Sequence, residues 1–308
     1  MALQDTRVVR ETALERLNGD LATGAGTASV TRETAGKSTT LWMRAAGSWG
    51  TAKADGIGSR FKTDQKTVLI GADVANGGFK FGGMFNYTST DLDLGALGQS
   101  KVESTGGALY AGYRKNASGF AVGFGAALAS NTAQGDRSIT VPGLAQTLRS
   151  KVNGLTIQIF GEASYDLAKA ENTRVEPFVR IAYAKLDSNA IAETGGIAAL
   201  SGVNQSNDLT TATLGLRGAY VTGKTTLSGS AGWQRTNGDR SARTVLAMSG
   251  VNTVYEVRSV ALNRNAVAIE TQASFSLSSR LIVGVGYSGV IGSENGDHGA
   301  RATVRYAF

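Results

Sequence analysis

The chain has 308 residues, 31 Lys+Arg against 24 Asp+Glu, 41 glycines, two prolines and no cysteine. The missing cysteine excludes a disulfide framework, a thiolate nucleophile and a cysteine-ligated metal, and the net charge of +7, spread along the chain rather than gathered in one basic face, argues against nucleic acid as a partner. No run approaches the ~20 apolar residues of a transmembrane helix, so a membrane could be crossed only by strands.

The first element is a helix. From Asp5 to about Leu21, Asp5 can cap, Ala13, Leu14 and Leu17 share one narrow stripe, and Arg7 and Glu11 stand four apart, leaving most of the cylinder polar. Asn18-Gly19 is a stop signal. Taken alone, the segment reads as a surface helix or a frayed tail. Ala22 to Ser38 is rich in Gly, Thr and Ala and reads as a tether. The expected division is therefore 1–38, a linker with its helix at about 5–21, and 39–308, a single β domain. After Met1-Ala2 the chain runs into Gln4-Asp5-Thr6-Arg7 with no apolar signal segment, so an export signal is expected upstream of a fragment.

From Thr39 the period becomes two. Leu41 and Met43 alternate with Trp42 and Arg44, and Val68, Ile70 and Ala72 with Thr67, Leu69, Gly71 and Asp73. Phe79, Phe81, Phe85 and Tyr87 oppose Lys80, Gly82, Met84 and Asn86; Phe120, Val122 and Phe124 oppose Ala121, Gly123 and Gly125. The pattern continues through Ile157, Val179, Leu214, Trp233, Ile269 and Val283 to the last segment from Arg301. About twelve strands result, each long enough to cross a bilayer at a tilt. Two prolines suit long ladders, because proline removes a ladder donor.

Alternation also describes a soluble sandwich. A sandwich would charge its second face heavily. Here that face is mostly Gly, Ala, Ser, Thr and Gln with isolated charges such as Arg44, Lys80, Glu162, Arg180, Arg217, Glu270 and Arg305, joined by Glu176, as a wet lumen would hold. Connections alternate between short (Val74 to Gly77, Lys115 to Gly119, Val221 to Lys224, Ser278-Ser279) and long and polar (88–100, 131–150, 187–208, 236–265). That asymmetry belongs to outer-membrane barrels.

Catalytic constellations are sparse. The single histidine, His298, lies in or just after the last short loop, and only Ser293 or Asp297 could join it; an exposed loop histidine is the ordinary reading. No histidine pair has metal-ligand spacing. Asp73-x-x-Asn76 and Asn295-Gly296-Asp297 read as turn chemistry, and Gly123-x-Gly125 lies inside a strand rather than ahead of a helix, so it is no nucleotide loop. No cofactor and no metal is expected, and no enzyme activity in this segment.

The chain ends Ala302-Thr303-Val304-Arg305-Tyr306-Ala307-Phe308, with Val304, Tyr306 and Phe308 on one face. This resembles the closing strand of bacterial outer-membrane proteins, read there by the barrel-assembly machinery. The resemblance extends over Trp42 to Gly47 in the first strand, Leu69 to Asp73 in the second, Val175-Glu176-Pro177-Phe178 in the seventh and Leu214-Gly215-Leu216-Arg217 in the eighth. In that order and spacing the chain is similar to the translocator domain of monomeric autotransporters (type V secretion), and among these to that of a neisserial serine-protease autotransporter. Ala45-Ala46 departs from the Arg-Gly frequent in the family.

The resemblance implies a 12-stranded antiparallel transmembrane β-barrel with the amino-terminal helix in its pore, in the Gram-negative outer membrane. It implies lipid and lipopolysaccharide around the barrel, the barrel-assembly machinery as a partner, a covalently attached amino-terminal passenger, and a monomer. Arg7, Arg10, Glu11, Glu15 and Arg16 would then face Arg44, Glu162, Glu176, Arg180, Arg217 and Glu270 across a basic-lined lumen, with Val304, Tyr306 and Phe308 as the assembly signal. Some members cut their own helix by asparagine cyclisation, for which Asn18-Gly19 is a candidate; a helix C-cap is the simpler reading. A general porin or solute channel is the alternative function.

Overall fold

The computed structural model describes residues 2–18, 27–34, 36–52, 60–95, 98–114, 119–170, 172–248, 254–278 and 281–306. Helix α1, Ala2–Asn18, precedes twelve long strands: β1 Lys37–Ala52, β2 Phe61–Asn76, β3 Phe79–Asp93, β4 Gln99–Arg114, β5 Phe120–Val141, β6 Leu144–Tyr165, β7 Thr173–Ser188, β8 Gln205–Thr222, β9 Thr225–Gly238, β10 Asn265–Ser276, β11 Leu281–Gly292 and β12 Asn295–Tyr306. Each pairs antiparallel with the next, and β12 returns to β1 through Asn295↔Ala52 to Ala300↔Gly47, which closes the sheet into a barrel.

The parity read from the sequence sets the two faces. Phe85 is 80% and Leu109 73% exposed on the outside, whereas Leu69 and Glu176 are 0% exposed on the inside. Burial is thus inverted relative to a water-soluble domain, with apolar side chains outward and charges enclosed. Such a band is stable only against hydrocarbon. Val122, Phe124, Ile157, Val179, Ile269 and Val283 all stand on the outward parity.

The two ends of the barrel differ. At one, β2 and β3 join through Gly77 (φ +57°) and Gly78 (φ +87°), a two-residue turn whose positive φ at both positions favours glycine. At the other, β5 and β6 run on together to a turn at 142–143, well past the length a membrane needs. The long connections expected to be plain polar loops are folded. Leu200–Gly202, Arg243–Met248 and Val254–Arg258 form a small sheet, and Glu193–Thr194 adds to β6. Leu148, Leu200 and Leu246 are buried there, and Arg137 grips Glu193 with two hydrogen bonds of 3.1 and 2.6 Å. Polar composition hid these few apolar anchors.

Two boundaries also move. The helix starts three residues earlier than the expected 5–21 and is described to Asn18, while 19–21 lie outside the described residues. Within the expected tether, Thr27–Thr34 is a strand paired with β1, which itself begins at Lys37 rather than Thr39. A linker composition of Thr, Ala, Ser and Val is also a strand composition once an edge is offered.

Candidate functional site

The site is the barrel interior and the helix inside it. The apolar stripe of α1 is the part that packs. Val9, Ala13 and Leu14 are buried with Trp42, Leu69, Met84, Ala108, Tyr110, Phe160 and Ala182 of the wall, flanked by Val8 and Leu17. The inner wall makes room by setting large rings over glycines on neighbouring strands. A Cβ on Gly71 would fall 2.4 Å from the Trp42 ring, on Gly82 2.3 Å from Tyr110, on Gly125 2.3 Å from Phe160 and on Gly215 2.5 Å from Phe178. The rings therefore lie flat along the wall instead of pointing at the axis. Gly112 and Gly123 face the helix itself, where a Cβ would meet Leu17 Cδ atoms at 3.1 and 2.8 Å.

The polar face of α1 meets charges from several strands. Arg7 Nη2 donates to Asp297 Oδ1 at 2.9 Å, and Arg7 lies 3.8 Å from Glu11 one turn on. With its amide oriented to suit its neighbours, Gln158 accepts from Arg10 Nη1 (3.2 Å) and Thr6 Oγ1 (3.0 Å). Arg44 Nη1 donates to Glu15 Oε2 at 2.5 Å. Arg16 reaches Asp73 Oδ2 at 2.8 Å and sits 5.5 Å over the Trp42 ring, while Lys80 Nζ donates to the Arg16 carbonyl at 2.6 Å. That cation satisfies a carbonyl of the last turn and opposes the negative end of the helix dipole.

At the helix end, Asn18 Nδ2 donates to Glu162 Oε1 (2.9 Å), and Arg114 Nη2 reaches Asn18 Oδ1 (3.4 Å). Glu162 also accepts from Arg180 (Nε 2.8 Å, Nη2 2.7 Å) and Arg217 (2.5 Å). Glu176, fully enclosed, accepts from Arg114 at 3.0 Å and Arg217 at 3.3 Å. Arg217 and Arg180 stand 4.9 and 5.3 Å from the Phe178 ring, adding a cation–π contact to each. With Arg174 Nη2 3.9 Å from Glu176 Oε2, two carboxylates, four guanidiniums and one amide thus form one network. Enclosed charges of this kind are tolerated only when paired and hydrogen-bonded. Glu270 interacts electrostatically with Arg7, Arg10 and Arg180.

Several partners differ from the sequence reading. Asp73 and Asp297 are not turn residues: Asp73, 2% exposed, receives Arg16, Lys80 and Tyr110, and Asp297 in β12 receives Arg7. Arg114, which no motif marked, bridges Asn18 and Glu176. Among the described side chains, Arg44, Lys80, Arg114, Arg174, Arg180 and Arg217 are accompanied by Asp73, Glu162, Asp166, Glu176, Glu270 and Asp297, so the basic groups expected to line the lumen stand among carboxylates. His298 lies in β12 rather than a loop and its Nδ1 meets Tyr287 Oη at 2.6 Å, while Asp297 is taken by Arg7. Val304 and Tyr306 lie in the last strand; Phe308 and Gly19 fall outside the described residues. Among the described residues no cluster of His, Cys, Asp or Glu is arranged to hold a metal.

The family model for the autotransporter beta-domain matches residues 41–288. The chain is 28% identical over 311 residues, 99% of its length, to an extracellular serine protease of Serratia marcescens, of which it spans 29%. In fold it is similar to the translocator domain of autotransporter NalP from Neisseria meningitidis, with a TM-score of 0.71 at 14% identity over 100% of this chain and 98% of that one. It is also similar to the beta domain of the Bordetella autotransporter BrkA, with a TM-score of 0.55 at 16% identity over 88% and 99%.

Proposed function

This chain belongs to the autotransporter beta-domain family, and from that premise we propose that it is the outer-membrane translocator of a longer polypeptide, anchoring and helping to export a passenger joined to its amino side. The family's barrel is a monomer of the Gram-negative outer membrane, and the domain is a conduit rather than a catalyst. The observation that carries the reading is the direction of α1. Its last residues lie with Asp73 and Lys80 near the two-residue turn at Gly77, whereas Arg7 lies with Asp297 toward the long-loop end. Short turns face the periplasm and long loops the exterior in such barrels, so chain upstream of Ala2 leaves on the outside. A passenger could be joined there without crossing back.

In this reading Arg7, Arg10, Glu11, Glu15 and Arg16 are the helix side of a plug, and Arg44, Glu162, Glu176, Arg180, Arg217 and Glu270 its wall side. A general porin would leave its lumen open, and this one is filled. The Serratia relative's description supports a serine protease as the exported segment. Lipid and lipopolysaccharide would surround the outward face, and the barrel-assembly machinery would read Val304, Tyr306 and Phe308. The deciding experiment is planar-bilayer conductance of the barrel with and without residues 1–18. Deletion should raise conductance several-fold. Unchanged conductance would remove the plug and the export reading with it.

A further inference from the structure

One edge of β1 is shared between two partners. Over its long-loop half, Gly47 to Ala52 pair with Ala300 to Asn295 of β12. Over its short-turn half, Lys37 to Arg44 pair instead with Thr34 to Thr27, which also runs beside β12. If β12 continued along β1 in the register it has already set, Val304 would stand opposite Met43 and Tyr306 opposite Leu41. Those places are taken: Ala28 stands opposite Met43 and Val30 opposite Leu41. Two strands cannot occupy the same side of β1, because the N–H and C=O groups pointing that way serve one ladder. A side-chain bond, Thr31 Oγ1 to Thr40 Oγ1 at 2.9 Å, adds to the docking.

We propose that Thr27–Thr34 is a removable closing strand of the barrel seam. Docked, it is inserted between the short-turn halves of β1 and β12; withdrawn, it lets β12 zip onto β1 through Met43–Val304 and Leu41–Tyr306. The occupant of the seam is thus a segment of the same chain, lying between the plug helix and the barrel. Its sequence suits an exchangeable strand. Thr-Ala-Ser-Val-Thr-Arg-Glu-Thr is rich in β-forming Thr and Val but lacks the Phe, Leu and Ile that stud the outward face of the barrel strands.

Docking also covers edges that would otherwise template pairing with another chain. Because neighbouring strands lie about 4.8 Å apart, a strand inserted at one end only widens that mouth relative to the other. Withdrawal would narrow the short-turn mouth after the chain ahead of it has passed. The inference rests on the barrel register alone and does not require any particular passenger.

The chain has no cysteine of its own, so paired substitutions read cleanly. Opposed residues on adjacent strands place Cβ atoms about 4.5–5.5 Å apart, close to disulfide reach. Two full-length variants, Ala28→Cys with Met43→Cys and Met43→Cys with Val304→Cys, are inserted into outer membranes, oxidised mildly and mapped by peptide mass spectrometry. The 28–43 link should form in most molecules and the 43–304 link in few. Adding Val30→Pro, which breaks the ladder of the closing strand, should raise the 43–304 link several-fold. A dominant 43–304 link without the proline means β12 closes the seam by itself, and a 43–304 link unmoved by the proline means the strand does not exchange. Either result overturns the proposal.

Discussion

The two ends of α1 are held in contrasting ways. Its last turn meets Asp73, Lys80, Glu162 and Arg114, and Leu17 sits against two glycines of the wall. Among the described side chains, its first turns meet Asp297, whose side chain is 32% exposed, and Gln158, beside a cavity of about 90 Å³ lined by Arg7, Arg10, Gln234 and Thr236. Among the described side chains, the last turn meets more enclosed charges than the first turns do. A plug built this way can fray outward without leaving the lumen. Surface ion pairs contribute little, whereas enclosed ones are costly to break, so the contrast is one of burial rather than of pair count.

Removing the centre of the pinned end tests this most severely. Glu162→Ala leaves Arg180 and Arg217 without their shared carboxylate and Asn18 without its acceptor. The expected loss is about 3 kcal/mol, the low end for a broken enclosed pair, because Arg217 keeps Glu176. Guanidinium titration of the detergent-folded barrel measures it. A loss below about 1 kcal/mol would mean that lumen water already solvates the network, and the pinned end would be no stronger than the loose one.

Packing at the same end can be tested without touching charge. In Gly123→Leu the new side chain competes with Leu17, since a Cβ alone would come within 2.8 Å of its Cδ1. Overpacking should cost about 1–2 kcal/mol and raise single-channel noise as the last turn lifts. Leu17→Ala in the same molecule should recover most of the loss, and a double-mutant cycle with no coupling would separate the glycine from the helix.

Much of this was legible in the sequence, for a physical reason. Strand parity is a local property, so Glu162, Arg180, Arg217 and Trp42 could be set inward from their neighbours alone. What a side chain meets across a closed lumen is not local. Asn18 and Glu162 are 144 residues apart, and Arg7 and Asp297 are 290 apart. Asp73 and Asp297 were hidden because each stands near a turn signal, where aspartate is also the expected residue. Arg114 is the last residue of its strand, where alternation no longer tells an inward side chain from a turn residue. The composition of Thr27–Thr34 fits both a tether and a strand, and only the half-open edge of β1 decides between them.

The loose end supplies the smallest effect and the sharpest control. Arg7→Ala removes a contact to a partly exposed carboxylate, a 3.8 Å pair within the helix and the electrostatic interaction with Glu270. Its expected cost is about 1 kcal/mol, reduced at high salt to the extent that water and ions reach the half-buried Asp297. Stability alone would not distinguish this from no effect, so hydrogen exchange along α1 is the better measurement. Amides of the first two turns should exchange several-fold faster in Arg7→Ala, with those near Leu14 to Asn18 unchanged. If exchange instead rises evenly from end to end, the helix moves as one rigid rod. Its two ends would then differ in contacts but not in the energy that holds them.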